Sequence, residues 1–466
     1  MHNSPLTASI HIIDDDSLLN VFYLYRPFLL GEEDDNEDDR VFGGEGRWDR
    51  GRWWYKLAHV CQRWRNVVLQ SASYLGVSLV CSNGTPVADM LVHSPPLPLV
   101  IDYFTTVNVQ ESQDEEGAIL ALKQYDRVRR IRLTRMSATD LQKLIVVMNY
   151  EYPILEYLIV GQSVEGGTAG LMFPETLQAP HLRHLTLVGF NLPIGSRLLT
   201  TAVDLVTLCL LMIHPATYFH PNTLLQWLSF MPQLETLWIS FGFSVPTNHD
   251  VERQLTHALI PIPAAFPNLH FFRFQGATPN LEALVHRISA PHIEKLELEF
   301  LCQLTYSVPR LLHFVNRTQN LKLRFQSAKF EFNNDKIVAE VYPHEDAKMY
   351  ALCILVNCYH HFDGKVSSAT QIFNTLGPMF SAVEHLTLKR EVHSRSSEGN
   401  EADPTEWRKL LGSFSNVKTL RIDKGLVKEL SCCLQPDDGE KPFELQELSS
   451  EGDNTTGDAF TTFVRT

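Results

Sequence analysis

One spacing recurs through most of this chain and leaves few folds open to it. An apolar residue is followed by two variable ones, a second apolar residue, one variable residue and a third apolar residue. Leu182-Arg-His-Leu185-Thr-Leu187, Leu234-Glu-Thr-Leu237-Trp-Ile239, Ile293-Glu-Lys-Leu296-Glu-Leu298, Val383-Glu-His-Leu386-Thr-Leu388 and Val417-Lys-Thr-Leu420-Arg-Ile422 are clear copies. Looser copies are Val128/Ile131/Leu133, Leu155/Leu158/Val160, Leu205/Leu208/Leu210, Leu269/Phe272/Phe274, Met349/Leu352/Ile354 and Leu321/Leu323. Successive starts up to Ile293 lie 27, 27, 23, 29, 35 and 24 residues apart, and the gaps lengthen beyond. In a strand the two residues flanking a third point the same way, so Leu185 and Leu187 turn inward and Thr186 outward. Pro153, Pro180, Pro232, Pro267 and Pro291 stand just ahead of copies, where proline ends a helix and turns the chain into the next strand. Stacked copies predict a parallel sheet with one continuous apolar row beneath it. An ordinary α/β domain with Leu-rich strands would not easily give so many copies in register.

Periods in the twenties with this core resemble leucine-rich repeats. The fold class predicted is α/β, an irregular leucine-rich-repeat solenoid over residues 128–448. Three insertions interrupt it: Phe241 to Pro267, with a helix expected from Asp250 to Leu259; Gln326 to Ala347, read as a polar insertion; and Lys389 to Thr405, with an exposed loop from Arg390 to Asp403. Residues 81–127 are expected to connect into the solenoid, with Ser94 to Asp102 ending in its first strand. Residues 449–466 are a polar tail.

The first 80 residues follow another rule. From Trp54 to Val68 the residues Trp54, Leu57, Cys61, Trp64 and Val68 fall 3, 4, 3 and 4 apart, one stripe of a helix widened by Val60 and Val67. Upstream, Asp14-Asp15-Asp16-Ser17 can cap a helix whose Leu18, Leu19, Phe22 and Tyr25 line one face and which Pro27 stops. Together these residues resemble the F-box of basidiomycete-type F-box proteins. Asp15, Leu18, Leu19, Val21 and Phe22 match its first part, and Trp54, Leu57, Val60, Cys61, Trp64 and Arg65 its second. Ile13 stands where that family usually has proline, Tyr74-Leu75 replaces its common ending, and an acidic run separates the halves. The resemblance implies a helical module over residues 1–80 that binds a Skp-type adaptor protein, and through it a cullin. The implied adaptor face is Asp15, Leu18, Leu19, Phe22, Leu57, Val60, Cys61 and Trp64. The implied role is that of substrate-recognition subunit of an SCF-type ubiquitin ligase, with the repeats holding a protein substrate. The alternative from another class is a non-catalytic scaffold or inhibitor whose N-terminal helices only cap the repeats, with Trp54 and Trp64 buried against the chain itself.

Charge narrows the partners. The formal net charge is −14, yet Glu32 to Asp39 holds seven carboxylates in eight positions and Asp14 to Asp16 three more. Without those ten, 44 acidic residues face 40 basic ones, and no basic stripe suits a phosphate backbone. No nucleic-acid partner is expected. No apolar run approaches the roughly 18 residues of a membrane span, so no membrane partner is expected either. Eight dispersed cysteines, none with zinc-finger or redox spacing, suit a reducing cytoplasmic or nuclear setting.

Catalytic chemistry leaves no trace in the spacing. There is no nucleophile elbow, phosphate loop, dinucleotide fingerprint or His-Glu-x-x-His. His181 and His184 sit three apart on a strand, His360-His361 lacks further ligands nearby, and Cys432-Cys433 reads as an apolar pair. No enzyme activity, metal or cofactor is expected. What remains is the outward row of the repeats: Arg132, Ile159, Thr186, Cys209, Trp238, Arg273, Glu297, Lys322, Cys353, Thr387 and Arg421. Trp and Arg dominate binding hot spots, so Trp238, Arg273, Glu297 and Lys322 are the candidate substrate contacts.

Overall fold

The computed structural model describes residues 13–26, 52–104, 114–162, 171–193, 195–213, 221–241, 264–303, 305–322, 325–333, 335–358, 362–390, 403–423, 425–427, 430 and 447–451. Two compact units divide the chain, Met1–Val203 and Asp204–Thr466. The acidic run, the helix expected at 250–259, the loop at 391–402, His360-His361, Cys432-Cys433 and the tail beyond 451 lie outside the described residues, as do Pro27 and Leu323.

In the first unit the helices Asp15–Tyr25, Trp53–Ala58, Gln62–Gln70 and Ala72–Leu75 lead into strands β1 (Leu79–Ser82), β2 (Leu99–Phe104), β3 (Val128–Met136), β4 (Tyr157–Gln162), β5 (Leu171–Met172), β6 (His184–Val188) and β7 (Phe190–Asn191). β1, β2, β3, β4 and β6 pair in that order, every pair parallel. The parallel sheet therefore begins at Leu79, within the last residues assigned to the helical module and one strand ahead of the first strand expected to end near Asp102. The added strand comes from the all-buried run Leu79-Val80-Cys81, which lacks the three-residue opening of the repeat, while β2 is the first strand expected from Ser94 to Asp102.

Helices between these strands are held by local caps. Asp114 accepts from Gly117 N–H at 2.9 Å to start Glu115–Leu122, and Ser137 accepts from Asp140 N–H at 3.2 Å to start Ala138–Val147. Leu141, Leu144 and Ile145 face inward from the second of these. A left-handed residue recurs two residues beyond the third apolar position. Gly189 adopts a left-handed conformation there (φ 76°), and Arg135 (φ 55°) does the same where the β3–β4 register shifts.

The second unit contains β8 (Thr207–Ile213), β9 (Thr236–Phe241), β10 (Ala264–Ala265), β11 (Phe271–Gly276), β12 (Ile288–Ser289), β13 (Lys295–Phe300), β14 (Ser327–Phe332), β15 (Lys336–Tyr342), β16 (Leu352–Asn357), β17 (His385–Arg390), β18 (Thr419–Asp423) and β19 (Glu447–Glu451). Its main sheet runs β8, β9, β11, β13, β16, β15, β14, β17, β18, β19. All these pairs are parallel except the two made by β15. β19 carries pairing through residue 451, past the expected start of the tail.

The repeat explains the register. Leu208, Leu237, Phe272, Leu296 and Leu352 are partners across five strands, and Ala328, Leu386 and Leu420 across three more. All are buried. Pro153, Pro180, Pro232, Pro267 and Pro291 each occupy a turn just before a strand. Met349 departs from its copy and is exposed, while Leu352 and Ile354 are inside.

The stretch expected as a polar insertion is a strand pair. Ala328, Phe330 and Phe332 alternate with polar residues, as do Ile337, Ala339 and Val341, and a period of two buries one face of each strand. Phe330 packs on Phe373 of the helix Phe362–Phe380, with ring centroids 4.8 Å apart, and Phe332 on Trp407 of the helix Pro404–Gly412 at 5.3 Å. Glu282 lies buried in the helix Thr278–Val285. Its carboxylate accepts from Arg310 N–H at 2.8 Å and Leu311 N–H at 2.9 Å, capping the helix Pro309–Arg317 from outside.

Candidate functional site

Two places carry the residues singled out by sequence. The first is the N-terminal helix pair. Asp14 caps the helix Asp15–Tyr25 by accepting from Ser17 N–H at 2.7 Å, and this helix packs on Gln62–Gln70, with Phe22 edge-on to Trp64 at 4.9 Å between centroids. Arg63 ties the two together, reaching Asp15 at 2.7 Å and the carbonyl of Ile13 at 2.5 Å.

The single helix expected from Trp54 to Val68 is two. Trp53–Ala58 ends, Cys61 is extended (φ −159°, ψ 170°), and a second helix starts at Gln62. Arg65 donates its Nε–H to the carbonyl of Ala58 at 3.0 Å, satisfying an acceptor that a continuous helix would have paired. The break separates the roles of the two tryptophans. Trp54 is buried and donates its indole N–H to Ser78 O at 3.0 Å, whereas Trp64 stays partly exposed beside Phe22.

The adaptor face implied by sequence is therefore divided. Leu18, Phe22 and Leu57 are buried within the chain, Leu19, Cys61 and Trp64 are partly exposed, and Asp15 is exposed beside Arg63. Val60 is 58% exposed, and Leu24 is 81% exposed. Val21 and Tyr25 are exposed with them, though sequence did not assign Leu24, Val21 or Tyr25 to the face. Their signal was an apolar count on this helix larger than one buried stripe needs.

The second place is the outward face of the second unit's sheet. Cys209, Trp238, Arg273, Glu297, Cys353, Glu340, Lys329, Thr387, Arg421 and Ser449 are successive cross-strand partners. In the first unit Asp102, Arg132, Ile159 and Thr186 align likewise. Lys322 is the exception and a correction: it closes the short helix Gln319–Lys322 instead of standing on a strand. Lys329 and Glu340 of the inserted strands hold the row positions there, and Leu321, which with Leu323 suggested a repeat, lies on that helix.

Neighbouring side chains of this row are joined. The Arg273 guanidinium lies 4.2 Å from the centre of the Trp238 ring, and its Nη1 is 3.3 Å from Glu297. Glu297 also meets Lys295 Nζ at 2.7 Å and accepts from the Tyr350 hydroxyl at 2.5 Å. Lys295 in turn sits 4.7 Å over the Tyr350 ring and 5.2 Å over Phe271. Further along, Lys329 bridges Glu331 at 2.6 Å and Glu340 at 3.4 Å, and Tyr342 donates to Glu340 at 2.8 Å.

These contacts cover the row. Trp238 is 8% exposed and Glu297 5%, so the open strip of side chains expected from sequence is a packed polar layer instead. Arg273 and Lys295 remain partly exposed above it. Burial pushes the Cys353 thiol up to about 12, with Glu297 and Glu340 adding to the rise, which leaves it a poor nucleophile. In the first unit Arg132 makes a buried two-pronged bond to Asp102, at 2.6 and 2.9 Å, and lies over Phe104. Burial depresses His184 to about 4, with Arg183 and Arg130 adding, so the ring facing Tyr157 is neutral near pH 7.

Among the described residues no group of three or more His, Cys, Asp or Glu could hold a metal ion. No helix among them is long and apolar enough to cross a membrane.

Strand pairing and register thus define a repeat-built α/β protein with long parallel sheets. No family model matches the chain, and no curated protein matches it. A solved structure that aligns with it is the leucine-rich repeat-containing protein LegL7 from Legionella pneumophila, at 10% identity over 84% of this chain and 97% of that one, with a TM-score of 0.25. So loose a likeness adds nothing to what the strand pairing already establishes.

Proposed function

We propose that this chain is a protein-recognition subunit that works by holding two partners and carries no catalytic residue of its own. In this reading the N-terminal helix pair docks a Skp-type adaptor, and through it a cullin. The outward face of the second unit holds a protein substrate, as in the substrate receptor of an SCF-type ubiquitin ligase acting in the cytoplasm or nucleus. Such a receptor raises the local concentration of a substrate lysine near the ubiquitin-loaded enzyme.

The observation that carries this reading is the apolar set left in solvent around the helix pair, Val21, Leu24, Tyr25 and Val60, on helices otherwise packed and ion-paired to each other. Three of them, Val21, Leu24 and Tyr25, share the helix Asp15–Tyr25, and exposed apolar residues on one small element favour a protein partner. On the substrate side, Arg273 and Lys295 supply partly exposed cations set among Trp238, Phe271 and Tyr350. Cation and ring together are the combination found at binding hot spots.

One observation favours the second reading, in which the helices only cap the repeats: the Trp54 indole is buried and bonded to Ser78 O, directly ahead of β1. A pull-down separates the two. The full chain is presented to a purified Skp-type adaptor beside a Leu24→Asp/Val60→Asp variant, whose exposed positions leave the packed core intact. Capture by the wild type and loss in the variant support the receptor. Equal failure of both, with unchanged circular dichroism, favours the cap.

A further inference from the structure

Residues 343–351 join β15 to β16, and the two strands close as a hairpin. Val341 and Leu352 are register partners, and Ala351 donates its N–H to Val341 O at 3.0 Å. Two residues suffice to join antiparallel neighbours, but this longer connection makes contacts well beyond its own strands. On one side the Tyr350 hydroxyl donates to Glu297 of β13 at 2.5 Å, with Lys295 Nζ 4.7 Å over its ring. On the other side Arg421 Nη2 of β18 donates to the Glu345 carboxylate at 2.7 Å. The second oxygen of that carboxylate lies 3.7 Å from His385 Nε2 of β17.

In sheet order β13, β16, β15, β14, β17 and β18 follow one another. Glu297 and Arg421 are therefore the two ends of a run of the outward row, with Cys353, Glu340, Lys329 and Thr387 between them. One connection touches both ends, and its two anchors are unequal. Glu297 is buried and also held by Arg273 and Lys295, so the Tyr350 end is fixed. Glu345 and Arg421 are 39% and 41% exposed in the side chain, where water screens an ion pair and makes it weak. Glu297, Glu331 and Glu340 belong to strands, whereas Glu345 can leave its cation without disturbing the pairing of the sheet.

We propose, on the reading of this face as the substrate surface, that residues 343–350 are an autoinhibitory strap latched by Glu345, and that an acidic segment of the substrate protein binds by displacing Glu345 from Arg421. Charge complementarity chooses the occupant. Arg421 and His385 converge on the two oxygens of one carboxylate, so a Glu or Asp of the partner fits the seat that Glu345 fills. The strap is tethered, and Glu345 competes at the high effective concentration of an intramolecular ligand. The apparent affinity for an outside segment falls with the fraction of chains whose latch is open. A single outside carboxylate loses that competition, and a run of carboxylates wins it. The strap thereby restricts capture to strongly acidic segments.

The test measures binding of a fluorescent oligoglutamate peptide to the full chain in low-salt buffer. Glu345→Gln opens the latch and should tighten binding about two- to fivefold, the range an exposed ion pair supplies, while Arg421→Gln should weaken it below the wild type. Asp346→Asn removes the same charge from the next, exposed position but keeps the Glu345–Arg421 pair, and should leave binding unchanged. Saturating peptide should also speed amide exchange of residues 343–350 in the wild type. An equal gain in Asp346→Asn, unchanged exchange in the strap, or no binding by any of these chains overturns the proposal. Binding that is lost in Arg273→Gln but kept in Arg421→Gln overturns the strap and leaves the outward face as a recognition surface. These substitutions all lie in the second unit, outside the N-terminal helices that the adaptor pull-down probes.

Discussion

Arg273 lies over Trp238 one strand away, its guanidinium carbon 4.2 Å from the ring centre, and the same guanidinium reaches Glu297 on β13, the neighbouring strand on the other side. A residue of β11 thus couples β9 to β13 through one cation. The Trp238 ring is largely buried beneath it. The two residues therefore answer to different tests. Trp238→Ala removes a buried aromatic ring and should cost about 3 kcal/mol or more of stability in denaturant titration. Arg273→Gln keeps most of the volume and should cost only about 1 kcal/mol, while weakening capture of a substrate. An Arg273→Gln chain that captures substrate as well as wild type removes this face from the recognition surface.

The Asp102–Arg132 pair makes the sharper stability prediction. Both side chains are buried, so Asp102→Asn leaves the Arg132 charge with weakened compensation. Breaking such a pair from one side should cost about 3–5 kcal/mol. Replacing both residues by apolar ones of similar volume should cost less than Asp102→Asn alone. A double variant as unstable as the sum of the two singles would show that the pair is not coupled.

Gly189 predicts a backbone effect. Its φ of 76° suits glycine, and an added Cβ would stand 2.2 Å from Gln162 Nε2, which donates to Gly189 O. Gly189→Ala should destabilise by about 1–2 kcal/mol. Adding Gln162→Ala relieves the contact but not the dihedral, so the double variant should stay below the Gln162→Ala single. Equal stability of those two would contradict the account of this left-handed position.

His184 sets a pH dependence. Its folded-state value is lowered from 6.5 to about 4, so between those limits the unfolded chain binds a proton that the folded chain does not. Stability linked to this ring is full above about 6.5 and is lost as pH falls toward about 4. Denaturant midpoints measured across that window should fall with pH in the wild type and fall less in His184→Gln. Identical slopes would show that the ring titrates outside the window.

The repeat made the parallel strands and their inward residues legible, because Leu185 and Leu187, or Leu237 and Ile239, state inside and outside without help from the rest of the chain. The outward row followed by parity, and Trp238, Arg273 and Glu297 are partners as expected. Lys322 failed because the spacing of Leu321 and Leu323 is that of a strand, although Leu321 and Lys322 themselves are helical. Lys329, Glu331 and Glu340 made residues 326–347 read as a polar insertion, although the apolar residues alternating with them were the strand signal. The helix break at Val60 left no mark in the spacing, since the three-four rhythm continues through it and the interruption rests on Arg65 bonding Ala58 O. Burial of the outward face was also hidden from sequence, because it depends on cations and rings of different strands meeting across the sheet.

The receptor reading is tested most directly by amide hydrogen exchange of the full chain with and without a saturating Skp-type adaptor. The account predicts added protection in residues 15–25 and around Val60, centred on the exposed Val21, Leu24 and Val60, with the repeat strands unchanged. No added protection in either segment would contradict it and leave the N-terminal helices as a cap on the repeats.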